Sequence, residues 1–276
     1  MGWRAARWAA NARLGRLSLP VYARALRARR HYRLLDEEEL RASRRSDTVF
    51  IFGSGRSLNE LGADEWAAFA EHDTLGFNWF LHQDWVRVDY HVIREVTEDD
   101  RDPAIWKPQV ASYFDGIRAS RHYAETIFLV HSGWRSINGN RALGLRLLPD
   151  GSRVFPWRSV PERLRLGTSF ADGLSHPFST LDECVNAAVL TGWRTIVLVG
   201  VDLYDRRYFW LGPEDTRPND LNRGATHRDP HARAHTGMVE NMGRWKEELS
   251  GRGIGLHVYN PRSLLAEVLP VYELGS

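Results

Sequence analysis

The stretch Thr48-Val-Phe-Ile-Phe-Gly-Ser-Gly-Arg-Ser-Leu58 constrains the fold more than any other part of the chain. A dense run of apolar, β-forming residues passes directly into a loop almost without side chains. Such a run has no polar face, so it predicts a strand covered on both sides, as in a parallel sheet. Gly53 and Gly55 let the backbone turn sharply and approach a ligand closely. Ser57 or Asn59 is placed to cap a following helix whose apolar side includes Leu61, Trp66 and Phe69. Strand, glycine turn and helix start together predict a phosphate-accepting site, where free amide N–H groups and the helix dipole point outward. An ordinary tight strand-to-helix turn has the same ingredients. No Lys follows the second Gly, so this is not a Walker A loop, and the third Gly of a dinucleotide fingerprint is missing.

Further strands are predicted at Asp73–Asn78, Asp89–Val96, Thr126–Val130, Thr195–Leu203 and Gly255–Asn260. Thr195–Leu203 is the most apolar of them and is expected mid-sheet. Helical patterns cover 179–193, with Gly192 near the end, and 238–249, stopped by Gly251 and Gly253. Residues 97–122 and 131–175 lack clean periodicity and read as loops and short strands. Residues 204–235 are polar, aromatic and rich in His and Arg, and read as a lid. Strands alternating with helices predict an α/β fold, a Rossmann-like, mostly parallel sheet flanked by helices. Its ligands are expected beyond the carboxyl ends of the strands.

Ahead of this domain, placed at 46–276, residues 1–45 read as a basic helical arm. Residues 1–35 hold nine arginines and no acid, set among Trp3, Trp8, Leu14, Leu17, Tyr22, Leu26 and Tyr32 and divided by Pro20. That mixture suits docking on an anionic membrane face, or packing on the chain's own domain or on a second copy in a homo-oligomer. Nothing else resembles a nucleic-acid module. Asp36-Glu-Glu-Glu39 reverses the charge, and 43–47 reads as a linker. The single cysteine, Cys184, excludes a disulfide framework. No apolar run is long enough to span a bilayer and no cleavable signal is visible, so the cytoplasm is the expected location, with a peripheral membrane contact through the arm.

Candidate chemistry sits at strand ends: the Gly53–Ser57 loop, Asn78, and Asp202 with Tyr204. The lid adds Tyr208, His227, His231 and His235. Asp202 would be costly to bury unpaired. It either anchors the lid through Arg206 or Arg207 or faces a substrate. The histidines are spaced four and four, but Pro230 breaks the helix and no Cys or Glu completes a metal set. A proton acceptor or phosphate partner is the better reading of at least one of them.

Taken in order, Phe52-Gly-Ser-Gly-Arg-Ser-Leu58, Gly76-Phe-Asn78, Gly192-Trp-Arg-Thr-Ile-Val-Leu-Val-Gly-Val-Asp-Leu-Tyr204, His231-x-x-x-His235 and Tyr259-Asn-Pro-Arg-Ser-Leu-Leu265 resemble bacterial CMP-sialic acid-dependent sialyltransferases of the lipooligosaccharide type. The chain also looks like the related bacterial β-Kdo transferases. The resemblance spans about 48–266, without a matching motif in the middle third. It implies a metal-independent enzyme, without cofactor, that moves a keto-acid sugar from a CMP donor to a glycan or glycolipid acceptor. It implies donor binding by Gly53, Ser54, Gly55, Arg56, Ser57, Asn78, Ser179, Thr180, Tyr204, Tyr208 and His231. His235 is implied as general base of an inverting reaction, or Asp202 as nucleophile of a retaining one. Ser54 and Arg56 depart from the family's Asn and Pro, and His176-Pro177 stands where the family has an arginine. Other readings are a magnesium-dependent pyrophosphokinase-like enzyme and a non-catalytic scaffold of surface-glycan assembly.

Overall fold

Val49, Phe50, Ile51 and Phe52 are all fully buried, as are Ile196, Val197 and Leu198, because these two segments lie side by side in the interior of one sheet. The computed structural model describes residues 28–94, 96, 103–132, 137–161, 166–177, 179–204, 207–212 and 233–275. Its strands are β1 (Arg33–Leu34), β2 (Thr48–Phe52), β3 (Asp73–Phe77), β4 (Tyr90–Ile93), β5 (Ile127–His131), β6 (Arg153–Trp157), β7 (Ser159–Pro161), β8 (Leu174–His176), β9 (Thr195–Val199) and β10 (Gly255–Val258). Its α-helices are α1 (Glu37–Ala42), α2 (Ala63–Ala70), α3 (Pro103–Ala119), α4 (Ile137–Gly144), α5 (Thr180–Thr191) and α6 (Arg233–Ser250). Eight strands form one sheet in the order β1-β6-β5-β4-β3-β2-β9-β10, and every pairing is parallel. β7 and β8 form a separate parallel pair. The Rossmann-like α/β expectation holds.

Because side chains alternate along a strand, the sheet has two apolar faces. Val49, Ile51, Leu75, Ile196 and Leu198 pack with Leu181 and Val185 of α5 and Met242 and Trp245 of α6. Phe50, Phe52, Val197 and Val199 pack on the opposite face with Trp66 and Phe69 of α2 and Tyr113 and Phe114 of α3. Each such side chain contributes roughly 1.5–3 kcal/mol when fully buried. Helix α5 is specified locally at both ends. Ser179 accepts from the Leu181 amide, Asp182 closes the capping box, and Gly192 ends the helix at φ +105°. Among its residues only Val189 is not fully buried, so α5 is the central helix of its layer.

Several expectations need correction. The body of the fold begins before residue 46: Arg33–Leu34 pairs with Arg153–Val154 at the sheet edge, and Leu35 and Leu40 join the core. The charge of that segment hid these apolar residues. Residues 1–27 of the basic arm lie outside the described residues. The 43–47 linker is pinned, since the amides of Arg45 and Ser46 donate to the buried Asp73 carboxylate. Residues 97–122 contain helix α3 rather than loops alone, with Pro108 inside it, and 131–175 contain α4 as well as strands. The strand expected to reach Leu203 stops at Val199, because Gly200 turns at φ +66°. The cap of α2 is Gly62, whose amide is accepted by Glu65, and not Ser57 or Asn59. Those two side chains are engaged elsewhere, with Asp202 and with the Phe209 carbonyl.

Candidate functional site

Chain order runs outward from β2 in one direction through β3, β4, β5 and β6, and from β9 in the other through β10. The order therefore reverses between β2 and β9, and the loops leaving their carboxyl ends part around a crevice, the place where doubly wound sheets bind ligands. Residues 53–57 leave β2 there, and residues 200–204 leave β9.

Gly53 and Gly55 are required by the closeness of these two loops. Their amides donate to the carbonyls of Val199 (2.8 Å) and Gly200 (2.7 Å). A Cβ on Gly55 would lie 2.4 Å from Asp202 Oδ2, and one on Gly53 would lie 2.5 Å from the Gly200 carbonyl oxygen. Asp202 is 3% exposed and turned into the glycine loop. It accepts from the Ser57 amide (2.9 Å), the Ser57 hydroxyl (2.5 Å) and Asn260 Nδ2 (3.2 Å). The free amides expected of this loop are thus already bonded at Gly53, Gly55 and Ser57, and the seat expected for a phosphate at Ser57 is filled by the chain's own carboxylate. These contacts tie Asp202 to the glycine loop and to the loop after β10 rather than to the lid; Arg206, one of its two expected lid partners, lies outside the described residues. Asn260 also donates to the Tyr204 hydroxyl (3.2 Å), tying β9's loop to β10's. Burial first, then the Asp202 charge, pushes the Tyr204 phenol up in pKa. Tyr208 forms a bridge with Gly55. Phe209 donates its amide to the Ser54 carbonyl (3.2 Å), and Arg56 Nη1 donates to the Leu211 carbonyl (3.4 Å). Asn260, quoted only as part of a motif in the sequence, is the side chain that joins Asp202 to Tyr204. An Asn directly after a predicted strand and before Pro261 was the available signal.

Asn78 follows β3 with φ +51°, and its Oδ1 is buried without a hydrogen-bond partner among the described residues. The register pairs Phe52 with Gly76, so Asn78 is level with Ser54 at the same edge. An orphan acceptor of this kind costs about 1–3 kcal/mol unless something else satisfies it. Beside it, Trp79 stacks on His82 (5.5 Å), His82 on Trp210 (5.1 Å) and Trp210 on Tyr208 (4.6 Å). This column fastens the 208–212 segment over the end of β3. On the other side, a cleft of about 260 Å³ is lined by Ser57, Gly200, Tyr259, Asn260 and Arg262 among others.

A second polar group lies where α5 begins. The Ser179 hydroxyl caps α5 and contacts Met238 Sδ of α6 at 3.5 Å. Thr180 is buried as its first residue. The fully buried Asp182 accepts from Asn241 and from Trp245 Nε1 (2.9 Å), so the start of α5 is held against the middle of α6. His235 is in the first turn of α6, three residues before Met238. His231 and His227 lie outside the described residues. Glu183, also fully buried, meets Arg94 Nε at 3.0 Å and accepts from the Ser159 hydroxyl at 2.7 Å. Arg94 Nη1 lies 2.7 Å from His176 Nε2. Since a guanidinium has no acceptor, His176 Nε2 accepts, and its Nδ1 lies 3.4 Å from Glu183 Oε1 without forming a hydrogen bond. Burial pushes the Glu183 carboxyl up, against the pull of His176 and Arg94. At the end of β5, His131 is pushed down to about 3, mainly by burial and then by Arg94 and His176. Among the described residues no group of three His, Cys, Asp or Glu converges as metal ligands would. No described helix is long and apolar enough to cross a membrane.

The site is that of a doubly wound parallel α/β protein, built at the reversal of strand order. No family model and no curated protein matches the chain. Among solved structures it is similar to the sialyltransferase CstII from Campylobacter jejuni in complex with the substrate analogue CMP-3FNeuAc, with 15% identity, 82% of this chain and 86% of that chain covered, and a TM-score of 0.46. The monofunctional alpha-2,3-sialyltransferase Cst-I from the same organism is similar at 15% identity, 82% and 80% coverage, and a TM-score of 0.47. Likeness of this extent assigns neither a substrate nor residue roles.

Proposed function

We propose that this chain is a glycosyltransferase that moves a keto-acid sugar, sialic acid-like or Kdo, from its CMP ester to a surface glycan or glycolipid. One observation carries the reading: four of the sequence segments that resemble CMP-sugar transferases meet at the strand-order reversal or one strand away from it. Gly55 touches Tyr208, Ser57 binds Asp202, Asn260 bridges Asp202 and Tyr204, and Asn78 presents an unsatisfied oxygen one strand over. A nucleotide's amino and hydroxyl groups are donors of the kind Asn78 lacks, and tyrosine hydroxyls beside the crevice suit a departing phosphate. No metal has a role in this scheme. Asp202 already spends its acceptors on Ser57 and Asn260, which favours inversion, with His235 as base, over a covalent step on Asp202. The first turn of a helix favours a neutral imidazole, the form that accepts a proton.

Thermal melts with CMP, UDP, GDP and ATP in EDTA test the donor class. CMP at a hundred times its Kd raises stability by about 2.7 kcal/mol, and the others much less. Equal shifts with ATP would favour a pyrophosphokinase-like enzyme instead. CMP binding without any transfer to a glycan would leave a scaffold. His235→Ala lowers turnover by ~10²–10⁴ while the CMP shift persists. The arginine-rich segment is proposed to dock on anionic membrane. Deletion of 1–27 leaves the melt unchanged and weakens binding to anionic vesicles, whereas deletion through residue 44 also removes β1 and Leu40 and unfolds the chain.

A further inference from the structure

The amides of Gly53, Gly55 and Ser57 are spent on Val199, Gly200 and Asp202, so an anion at this crevice needs other donors. The loop after β10 assembles two of them. It is pinned to the loop after β9, since Ser263 Oγ donates to the Val201 carbonyl at 2.6 Å and the Leu264 amide to the Asp202 carbonyl at 3.2 Å. Within it the Arg262 amide donates to Asn260 Oδ1 at 3.0 Å, which turns Asn260 Nδ2 toward Asp202 and Tyr204. Because Asn260 donates to the Tyr204 oxygen, the phenol's own O–H is left to donate elsewhere. The Arg262 guanidinium stands 5.9 Å from the centroid of the Tyr204 ring and lines the same cleft as Ser57, Gly200 and Asn260. A phenol donor and a planar cation whose fork suits phosphate oxygens thus lie side by side.

The guanidinium is held by Glu60, at the end of the short turn Arg56–Glu60 that follows the glycines. Both side chains are more than half exposed, 59% for Arg262 and 53% for Glu60, and an ion pair in such a place contributes little. The other carboxylate of the cleft, Glu65, is engaged by neutral donors, the Tyr259 hydroxyl and the Gly62 amide. Arg262 can therefore exchange Glu60 for a phosphate at small cost. We propose that Arg262 binds the phosphate of CMP together with Tyr204, and that Glu60 holds the guanidinium until the nucleotide arrives. The proposal rests on the function proposed above and adds to it a positive charge for the leaving nucleotide. As the bond between the anomeric carbon and the phosphate oxygen breaks, its electron pair stays on CMP, which gains one negative charge. The acceptor oxygen takes that place on the carbon and gives its proton to His235. A guanidinium beside the phosphate stabilises the growing charge.

The full chain and its variants Arg262→Gln, Arg262→Lys, Glu60→Gln and Arg262→Gln/Glu60→Gln are titrated with CMP, cytidine, ATP and adenosine in EDTA, each with its melt. Arg262→Gln is expected to lower CMP affinity roughly ten- to a hundredfold, the range of a charge-assisted hydrogen bond, and to leave cytidine affinity as it was. Arg262→Lys keeps part of the CMP affinity. Glu60→Gln moves the other way: it tightens CMP about two- to fivefold, the share of an exposed ion pair that the ligand no longer has to break. The double variant binds CMP as Arg262→Gln does. If both single variants weaken CMP and cytidine alike, the pair only braces the loops and the proposal falls. A preference for CMP over cytidine that survives in Arg262→Gln overturns it too, as does Glu60→Gln with CMP affinity unchanged or lowered. Should wild type bind ATP in place of CMP, the donor assignment falls and the same comparison between ATP and adenosine decides on Arg262. Binding of no nucleotide by wild type overturns both.

Discussion

Two buried carboxylates lie near the carboxyl edge of the same sheet, and they are held in opposite ways. Asp202, at the β2–β9 crevice, accepts from three neutral donors: a backbone amide, a hydroxyl and an amide side chain. Glu183, at the start of α5, is opposed by the guanidinium of Arg94 and the ring of His176. Neutral donors on the loops after β2 and β10 make Asp202 a clamp that joins them to the end of β9, and its position cannot change without breaking both contacts. A charge partner makes Glu183 a support that faces a cation. The clamp serves the shape of the site, and the support joins the end of β4 to the start of α5.

The clamp is the tighter of the two, so the largest expected loss follows from prying it open. In Gly55→Ala the new methyl group meets Asp202 Oδ2 at 2.4 Å and the Gly200 carbonyl at 2.7 Å, and neither is the end of a flexible side chain. The expected cost is about 3 kcal/mol in urea unfolding, at the upper end for overpacking, together with loss of ligand binding. A loss below about 1 kcal/mol would mean that the two loops separate easily and that the clamp is no clamp.

Charge removal should then tell the two carboxylates apart. Glu183→Gln removes the carboxylate that faces Arg94 and is expected to cost about 3 kcal/mol, as is Arg94→Met, which leaves the buried Glu183 without its guanidinium. The double variant should cost less than the sum by about 2 kcal/mol, because neither charge is then left alone. Asp202→Asn is expected to cost about 2 kcal/mol, since an amide turns a donor toward Ser57 or Asn260, and adding Arg94→Met should leave that cost unchanged. Simple additivity at the Arg94–Glu183 pair would erase the contrast.

How legible each region was in the sequence follows the same division. The strands of the crevice could be read because they are covered on both faces and therefore apolar throughout, as Thr48–Phe52 and Thr195–Val199 are. The glycines and Asp202 stood out at their ends. What they bind did not, because the Ser57–Asp202 contact spans 145 positions and nothing local marks it. The support was invisible for a related reason. Glu183 reads as an ordinary first-turn acid of a capped helix, and its partner Arg94 is contributed by a different strand. Helix α3 escaped notice because Pro108 interrupts its pattern. The edge strand Arg33–Leu34 escaped because it is two residues long and follows a run of arginines, with Leu35 beside it in the core.

Acid should act on the support side; Ser57 and Asn260, which hold Asp202, do not titrate in this range. The β4 strand that leads to Arg94 carries His91, fully buried, with Nε2 2.8 Å from the Tyr113 hydroxyl. Burial pushes it down to about 3, and His131 on β5 is pushed to about the same value. An imidazole kept neutral in the fold takes up a proton only when the chain unfolds, so unfolding is favoured as the pH falls. The stability these rings give is complete above their ordinary value near 6.5 and is lost progressively toward 3. From pH 7.5 to 5.5 each ring should remove about 1.4 kcal/mol, a smaller effect than either substitution series. His91→Gln should therefore flatten the measured slope by about that amount, and Asp202→Asn should leave it as steep as in wild type. A wild-type curve with no slope above pH 5.5 would show that these rings are protonated in the folded chain. An equal flattening by Asp202→Asn would show that the clamp and the support titrate as one unit, which would end the distinction between them.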